Sequence, residues 1–185
     1  LREMNRNNEN INDFIPYKLE DINCDIPYDI SNLDSAIISK LRLMTAEDLQ
    51  NISEVTEGIE NRILSSANMS YSFETLVENV KNKRYTTSKI RRMIISALID
   101  FTKDIYSPMP QYIRILGMNK VGMTILKQAK GICKVPIITK TADFKEQSPQ
   151  FNLDVRATNI AMLCNPIPTH RIGNADLKKS PIIMK

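Results

Sequence analysis

Apolar positions recur at three-and-four spacing through most of residues 31–106, the repeat of helices that bury one face. Ser31 or Asn32 can cap a first helix carrying Ile37, Ile38, Leu41 and Leu43. Thr45 caps a short second one, TAEDLQNIS, and residues 57–68 form a third with Ile59, Ile63 and Leu64 on one face. Ser72 caps FETLVENVKN, where Phe73, Leu76, Val77 and Val80 align. Thr86 or Thr87 caps the longest helix, expected to end near Ile105. Ile90, Met93, Ile94, Ala97, Leu98 and Phe101 line one side of it, with Ile95 and Ile99 nearly opposite. A helix apolar on two sides packs on two sides, so this one is expected at the centre of a bundle.

After Pro108 and Pro110 the pattern shortens. YIRILGM (112–118) reads as a strand, Asn119 caps a helix holding Val121, Ile125, Leu126 and Ala129, Gly131 stops it, and VPIIT (135–139) reads as a second strand. Strand, helix and strand at this length make a βαβ unit with parallel strands and a right-handed crossover. Residues 152–163 form a further amphipathic helix, and IIM near the end adds a short strand. The fold class is therefore mainly α, a helical bundle followed by a small βαβ-containing α/β unit. The expected division is a polar, Asn-rich arm or linker over 1–30, the bundle with a basic helix-turn-helix-like segment over 31–108, and the α/β unit with a C-terminal tail over 109–185.

Composition narrows the chemistry. An apolar fraction of 42% in 185 residues supports a substantial core, and only five glycines argue against glycine-rich phosphate loops. Cys24, Cys133 and Cys164 are far apart and form no CxxC pair; with one histidine, a zinc site is not expected. Such cysteine usage suits a reducing cytosol, and no apolar run approaches the roughly 20 residues that span a bilayer. The expected location is the cytoplasm, with no membrane partner. The start at Leu1 suggests part of a longer protein.

Charge changes the picture at one place. Residues 81–92, KNKRYTTSKIRR, hold Lys81, Lys83, Arg84, Lys89, Arg91 and Arg92 and no acidic residue; these six exceed the whole chain's net charge of +4, so the remainder is net acidic. Lys89, Arg91 and Arg92 fall in the first turns of a helix, where the dipole disfavours cations. A phosphate there would meet free backbone amides and cations together, with Tyr85 as a ring for an unpaired base to stack on or for the bundle to pack against. Three readings stay open for this run: a nucleic-acid interface, a solvated basic face, or a dock for an acidic protein partner.

Other groups carry weaker signals. Glu54, Glu57 and Glu60 recur at three-residue spacing and could hold a metal or do acid–base work, though an exposed face with Glu57 or Glu60 paired to Arg62 or to a cation of the basic run is the commoner outcome. Gly58 within a helix hints at close packing. GMNKVG (117–122) lacks the spacing of a phosphate loop. Asp154 and Arg156 near a helix start read as a structural ion pair or a reach to another domain, and His170 has no triad partners in its local sequence. No catalytic constellation and no metal site are expected.

Five stretches in order, TEGIENRI (56–63), SFETLVENVKNKRYTTSKIRRMI (72–94), YIRILGMNKVG (112–122), VPIITK (135–140) and LDVRATNI (153–160), resemble the C-terminal part of the bacterial tRNA(Met) cytidine acetate ligases. The resemblance implies an enzyme that uses ATP to activate acetate as acetyl-adenylate and moves the acetyl group to the wobble cytidine of elongator tRNA(Met). It implies an N-terminal nucleotidyltransferase-like domain with an HxGH motif for ATP, and a C-terminal region that helps hold the tRNA. This sequence has one histidine and no HxGH. The expectation is thus a tRNA-binding C-terminal region without its catalytic domain, inert by itself, with ATP and acetate serving the parent protein and no cofactor in this chain. No catalytic residue is carried over. Holding tRNA falls to Lys83, Arg84, Lys89, Arg91 and Arg92, with Tyr85 among them. Expected partners are tRNA, the missing N-terminal domain and a second copy of the chain. The alternative is a helical interaction or dimerisation module docking an acidic domain or subunit.

Overall fold

The computed structural model describes residues 28–56, 58–144, 148–178 and 180–184. The expected arm over 1–30, except for its last three residues, lies outside the described residues, as do Cys24 and Glu57. Asp29, rather than Ser31 or Asn32, caps the first turn: its carboxylate accepts the Ser31 N–H at 2.8 Å, and a 3-10 turn over Ile30–Leu33 runs into α1 (Asp34–Leu43). Thr45 and Ser72 form capping boxes with Asp48 and Thr75 at the starts of α2 (Ala46–Gln50) and α4 (Phe73–Val80). Between them lies α3 (Glu60–Met69), and Thr86 caps α5 (Thr87–Leu98) by accepting the Lys89 N–H.

The periodic apolar positions converge as their spacing predicts. Ile37, Leu49, Ile63, Leu76, Ile90, Met93 and Ile94 are wholly buried in one core, with α1 against α3 and α5 and α4 against the same two helices. The architecture is mainly helical with small parallel sheets. Among the described residues no helix is long and apolar enough to cross a membrane.

In the C-terminal half the helix expected over 152–163 starts earlier, at Pro149, behind a Ser148 cap; in the helical half two boundaries differ most from the sequence reading. Helix α5 stops at Leu98, not near Ile105. The Phe101 N–H donates to the Ser96 carbonyl (2.8 Å) and the Asp100 N–H to that of Ala97 (3.3 Å), a Schellman closure with Asp100 left-handed at φ 53°. Glycine is the usual residue there. Here Asp100 is held by Lys40 of α1 at 2.8 Å and by Arg156 at 3.7 Å. The chain then folds back beside α2, the Ser53 N–H donating to Phe101 and the Lys103 N–H to Asn51, both at 2.8 Å. Gly58 is the second difference: it precedes α3 rather than lying within it. Its φ is 93° and an added Cβ would meet nothing within 4 Å, so backbone angle and not close packing requires glycine.

Helices α3, α4 and α5 carry no basic residue in their last turns. Each receives an arginine from elsewhere. Arg42 of α1 donates to Ala67 (3.1 Å) and Ser70 (3.2 Å) at the end of α3. Arg62 of α3 donates to Val80 (2.8 Å), Asn79 (3.0 Å) and Lys81 (2.8 Å) at the end of α4. Arg156 donates to Ile99 (3.0 Å) at the end of α5. The guanidinium satisfies carbonyls that a helix end leaves without partners and complements the dipole.

In the C-terminal half, β1 (Ile113–Arg114) pairs in parallel with β3 (Ile137–Ile138), and α6 (Lys120–Ala129) lies between them in sequence, capped by Asn119. The expected single strand over 112–118 is instead two short ones. The Ile115 N–H donates to Ile138 (2.9 Å), but the Leu116 carbonyl accepts from Ile182 (3.0 Å), so β2 (Gly117–Met118) joins a different sheet, in parallel with β4 (Ile182–Ile183). Two further helices, α7 (Pro149–Met162) and α8 (Ala175–Lys178), precede β4. Helix α7 is capped by Ser148 and touches both halves. Its Phe151 meets Tyr112 and Phe144 with ring centroids 5.6 and 5.0 Å away, while Ile160, and Cys164 just beyond its end, join the helical core.

Replacing Arg62 by Ala leaves three carbonyls at the end of α4 without their donor, and a loss of about 2–3 kcal/mol is expected in urea denaturation. Glu60 supplies a pH test. Its carboxylate accepts from Gln50 (3.0 Å) and the Gly58 N–H (2.8 Å). Its own backbone N–H, and then the Gln50 amide, hold the carboxyl below its ordinary value of 4.5. A depressed folded value means the contribution is present above 4.5 and is lost as pH falls through the folded value. Thermal melts from about pH 7 to about pH 3 should show wild type losing more stability than Glu60→Gln.

Candidate nucleic-acid interface

The turn between α4 and α5 is built from its ends inward. Arg62 fixes the carbonyls where α4 ends, and Thr86 caps α5. Between them the Asn82 side-chain oxygen accepts the N–H groups of Arg84 (2.8 Å) and Tyr85 (3.1 Å), closing a tight turn. Tyr85 is half-buried against the helical core, and its hydroxyl is 2.7 Å from that of Thr56. The Arg84 guanidinium carbon lies 5.4 Å from the centre of its ring and the Lys89 ammonium 5.2 Å. Both are within cation–π range.

The basic run divides into two groups. Lys81 pairs with Glu78 (3.5 Å), Arg91 with Glu74 (2.6 Å) and Arg92 with Glu54 (3.6 Å). Arg91 also lies over the Phe73 ring at 5.6 Å. Lys83, Arg84 and Lys89 have no carboxylate within ion-pair distance among the described residues. The placement of Arg91 and Arg92 near a helix start is therefore offset by two glutamates, and no bound anion is needed to account for it. Tyr85 already carries two cations, so it organises charge where the sequence left open a stacking ring for a base.

The remaining sequence candidates separate. Glu54 goes to Arg92 and Glu60 is buried in its turn, so they share no site; Arg62, a possible partner for them, serves α4. Among the described residues no group of three or more His, Cys, Asp or Glu is placed to hold a metal. His170 is exposed on a 3-10 turn over Pro168–His170. The β2–α6 turn is capped and tightly packed. The Asn119 side chain takes the Gly122 N–H (2.9 Å), a Cβ on Gly117 would stand 3.2 Å from the Ile182 carbonyl, and one on Gly122 would stand 3.3 Å from Met118.

Asp154 and Arg156 do not pair with each other. Arg156 turns to α5, and Asp154 accepts from the Tyr112 hydroxyl. Burial, and then this hydrogen bond, raise the Tyr112 phenol well above its ordinary range. Beside it, Arg114 and Asp176 form an ion pair at 2.6 Å, with the Asp176 side chain only 8% exposed. A groove of ≈ 530 Å³ opens here between β1 and α7, its lining including Tyr112, Arg114, Gln150 and Asp154. Sequence reasoning missed Tyr112, Arg114 and Asp176 because they are 42 and 62 residues from the partners they meet.

A family model described as HIGH Nucleotidyl Transferase matches residues 1–176. A tRNA(Met) cytidine acetate ligase of Thermosipho africanus is 34% identical over 182 residues, 86% of this chain and 43% of that protein. One from Acetivibrio thermocellus is 34% identical over 158 residues, 80% of this chain and 38% of that protein. Thermotoga maritima TmcAL, in a crystal structure bound with alpha-thio ATP, superposes with a TM-score of 0.72 at 29% identity, over 83% of this chain and 41% of that one. The chain thus spans less than half the length of these relatives.

The match corrects one expectation from sequence. The chain is not a C-terminal region lacking the catalytic domain, because the nucleotidyl transferase model itself covers residues 1–176. The expectation of no cofactor in this chain falls with it, and docking onto a missing N-terminal domain loses its basis. With nearly its whole length matched, the chain belongs to the HIGH nucleotidyl transferase family.

Proposed function

We propose that the chain works in an ATP-dependent ligase that acetylates the wobble cytidine of elongator tRNA(Met) through acetyl-adenylate, and that its α4–α5 turn holds the tRNA backbone. The names of the relatives support the activity. The observation that carries the RNA contact is the trio Lys83, Arg84 and Lys89, without carboxylate partners among the described residues and with two of its members held on Tyr85. Cations set in this way beside a helix start present to a phosphate both charge and backbone N–H groups. Arg91 and Arg92, paired with glutamates, stand behind them as support. ATP supplies the adenylation of acetate in such an enzyme. The role that the α4–α5 turn supports is to bind and orient the RNA.

Binding of tRNA(Met) to the chain should weaken steeply with salt. Reversing the trio (Lys83→Glu, Arg84→Glu, Lys89→Glu) should lower affinity at least tenfold and reduce the log–log salt slope by about 2–3. An unchanged slope in filter-binding titrations would sink the assignment.

Tyr85 gives a finer test. Tyr85→Leu keeps apolar bulk but removes the ring under both cations, and tRNA affinity is expected to fall about three- to tenfold. Tyr85→Phe keeps the ring and should stay near wild type. Equal affinity for wild type, Leu and Phe variants would show that the ring does not organise the cations for binding.

A further inference from the structure

We propose that the outer face of α6 is a second contact for an RNA backbone, independent of base sequence, formed by Lys120, Lys127 and Lys130 with Lys134 just beyond them. This rests on the reading of the chain as part of an RNA-binding enzyme. It adds a contact on an element that the basic turn does not include.

Spacing along the chain conceals this charge. Residues 105–142 hold Arg114, Lys120, Lys127, Lys130, Lys134 and Lys140 and no Asp or Glu. No two of these cations are adjacent, so no basic run stands out. The helix gathers three of them. Successive residues turn by about 100° along a helix, so Lys120, Lys127 and Lys130 fall within about 80° of one another. Lys130 is the C-cap of α6 and keeps helical backbone angles, so the pattern reaches it. Gly122, Leu126 and Ala129, on the other side, are half-buried, and α6 packs against β2. Lys120, Lys127, Lys130 and Lys134 are all exposed.

The face lacks the means by which the chain disposes of its other cations. Arg114 is taken by Asp176, and Lys81, Arg91 and Arg92 by glutamates. None of the four lysines has a carboxylate within ion-pair distance among the described residues. The helix dipole does not account for the row either. It favours Lys127 in the last turn but disfavours Lys120 in the first. A polyanion suits all of them at once. The centres of protein interfaces are depleted in lysine, which argues against an acidic protein as the occupant. Residues 119–134 contain no aromatic residue and no Arg, so nothing here stacks on a base or reads one with a bidentate fork. Lysines are flexible point charges, and such contacts to phosphates position a nucleic acid without specifying its sequence.

The test uses the whole chain with two transcripts, tRNA(Met) and an unrelated tRNA, in filter-binding titrations across salt concentration. Lys120→Gln, Lys127→Gln and Lys130→Gln together should lower affinity at least tenfold and the log–log salt slope by about 2–3. The loss should be equal for the two RNAs. Gln is close to Lys in helix propensity, and a melting curve checks the fold. If the triple variant melts early, Lys127→Gln and Lys134→Gln carry the test singly, each lowering the slope by about 0.7–0.9. Lys103→Gln, at an exposed lysine outside α6, should leave the slope unchanged. An unchanged slope in the α6 variants, a loss confined to tRNA(Met), or an equal loss per lysine from Lys103→Gln overturns the assignment. An α6 variant that keeps its RNA slope but loses binding to polyglutamate would give the face to an acidic protein, and the proposal falls. If reversing the basic turn weakens RNA binding and the α6 variants do not, the turn stands alone. If neither set changes the slope, both readings fall.

Discussion

The helical half depends on arginines that close helices other than their own. The ends of α3, α4 and α5 leave carbonyls that their own last turns cannot serve. Arg42, Arg62 and Arg156 reach them from α1, α3 and α7. Each contact joins a charge to a dipole end and also sets where one helix stops relative to another. Apolar burial drives these helices together without direction. The guanidinium hydrogen bonds add direction, and the segment between α4 and α5 inherits it, because Arg62 holds the three carbonyls where that turn begins.

The same economy of charge shapes the turn. Six basic residues within twelve positions of the sequence look like one patch, yet in space they do different work. Lys81, Arg91 and Arg92 meet Glu78, Glu74 and Glu54. Lys83, Arg84 and Lys89 meet no carboxylate among the described residues, with Tyr85 beneath two of them. An exposed ion pair contributes little to stability, so the glutamates matter more for where positive potential is left than for holding the fold.

Much of the helical half was legible. Ser72 and Thr45 announced their helices because capping is a local event, complete within four residues. The three-and-four spacing found the core because burial is periodic along one helix. The errors sit where local and distant preferences compete. Phe101 continues the apolar period of α5, but the chain has already turned at Asp100, a residue whose left-handed backbone is held by Lys40 and Arg156. YIRILGM has the composition of one strand. It splits because Ile115 and Leu116 bond to different partners, Ile138 and Ile182.

Taken by itself, the sequence determined the helix starts capped by Thr45, Ser72, Thr86 and Asn119, the apolar faces and the concentration of positive charge in residues 81–92. All of these depend on neighbours within a turn or two. Only the tertiary structure decided which of those cations are neutralised, that Tyr85 supports two of them, and that Asp154 meets Tyr112 while Arg114 meets Asp176. Those pairings are between side chains far apart along the chain. Their energy depends on distance in space and on burial, and neither is written in the spacing of residues.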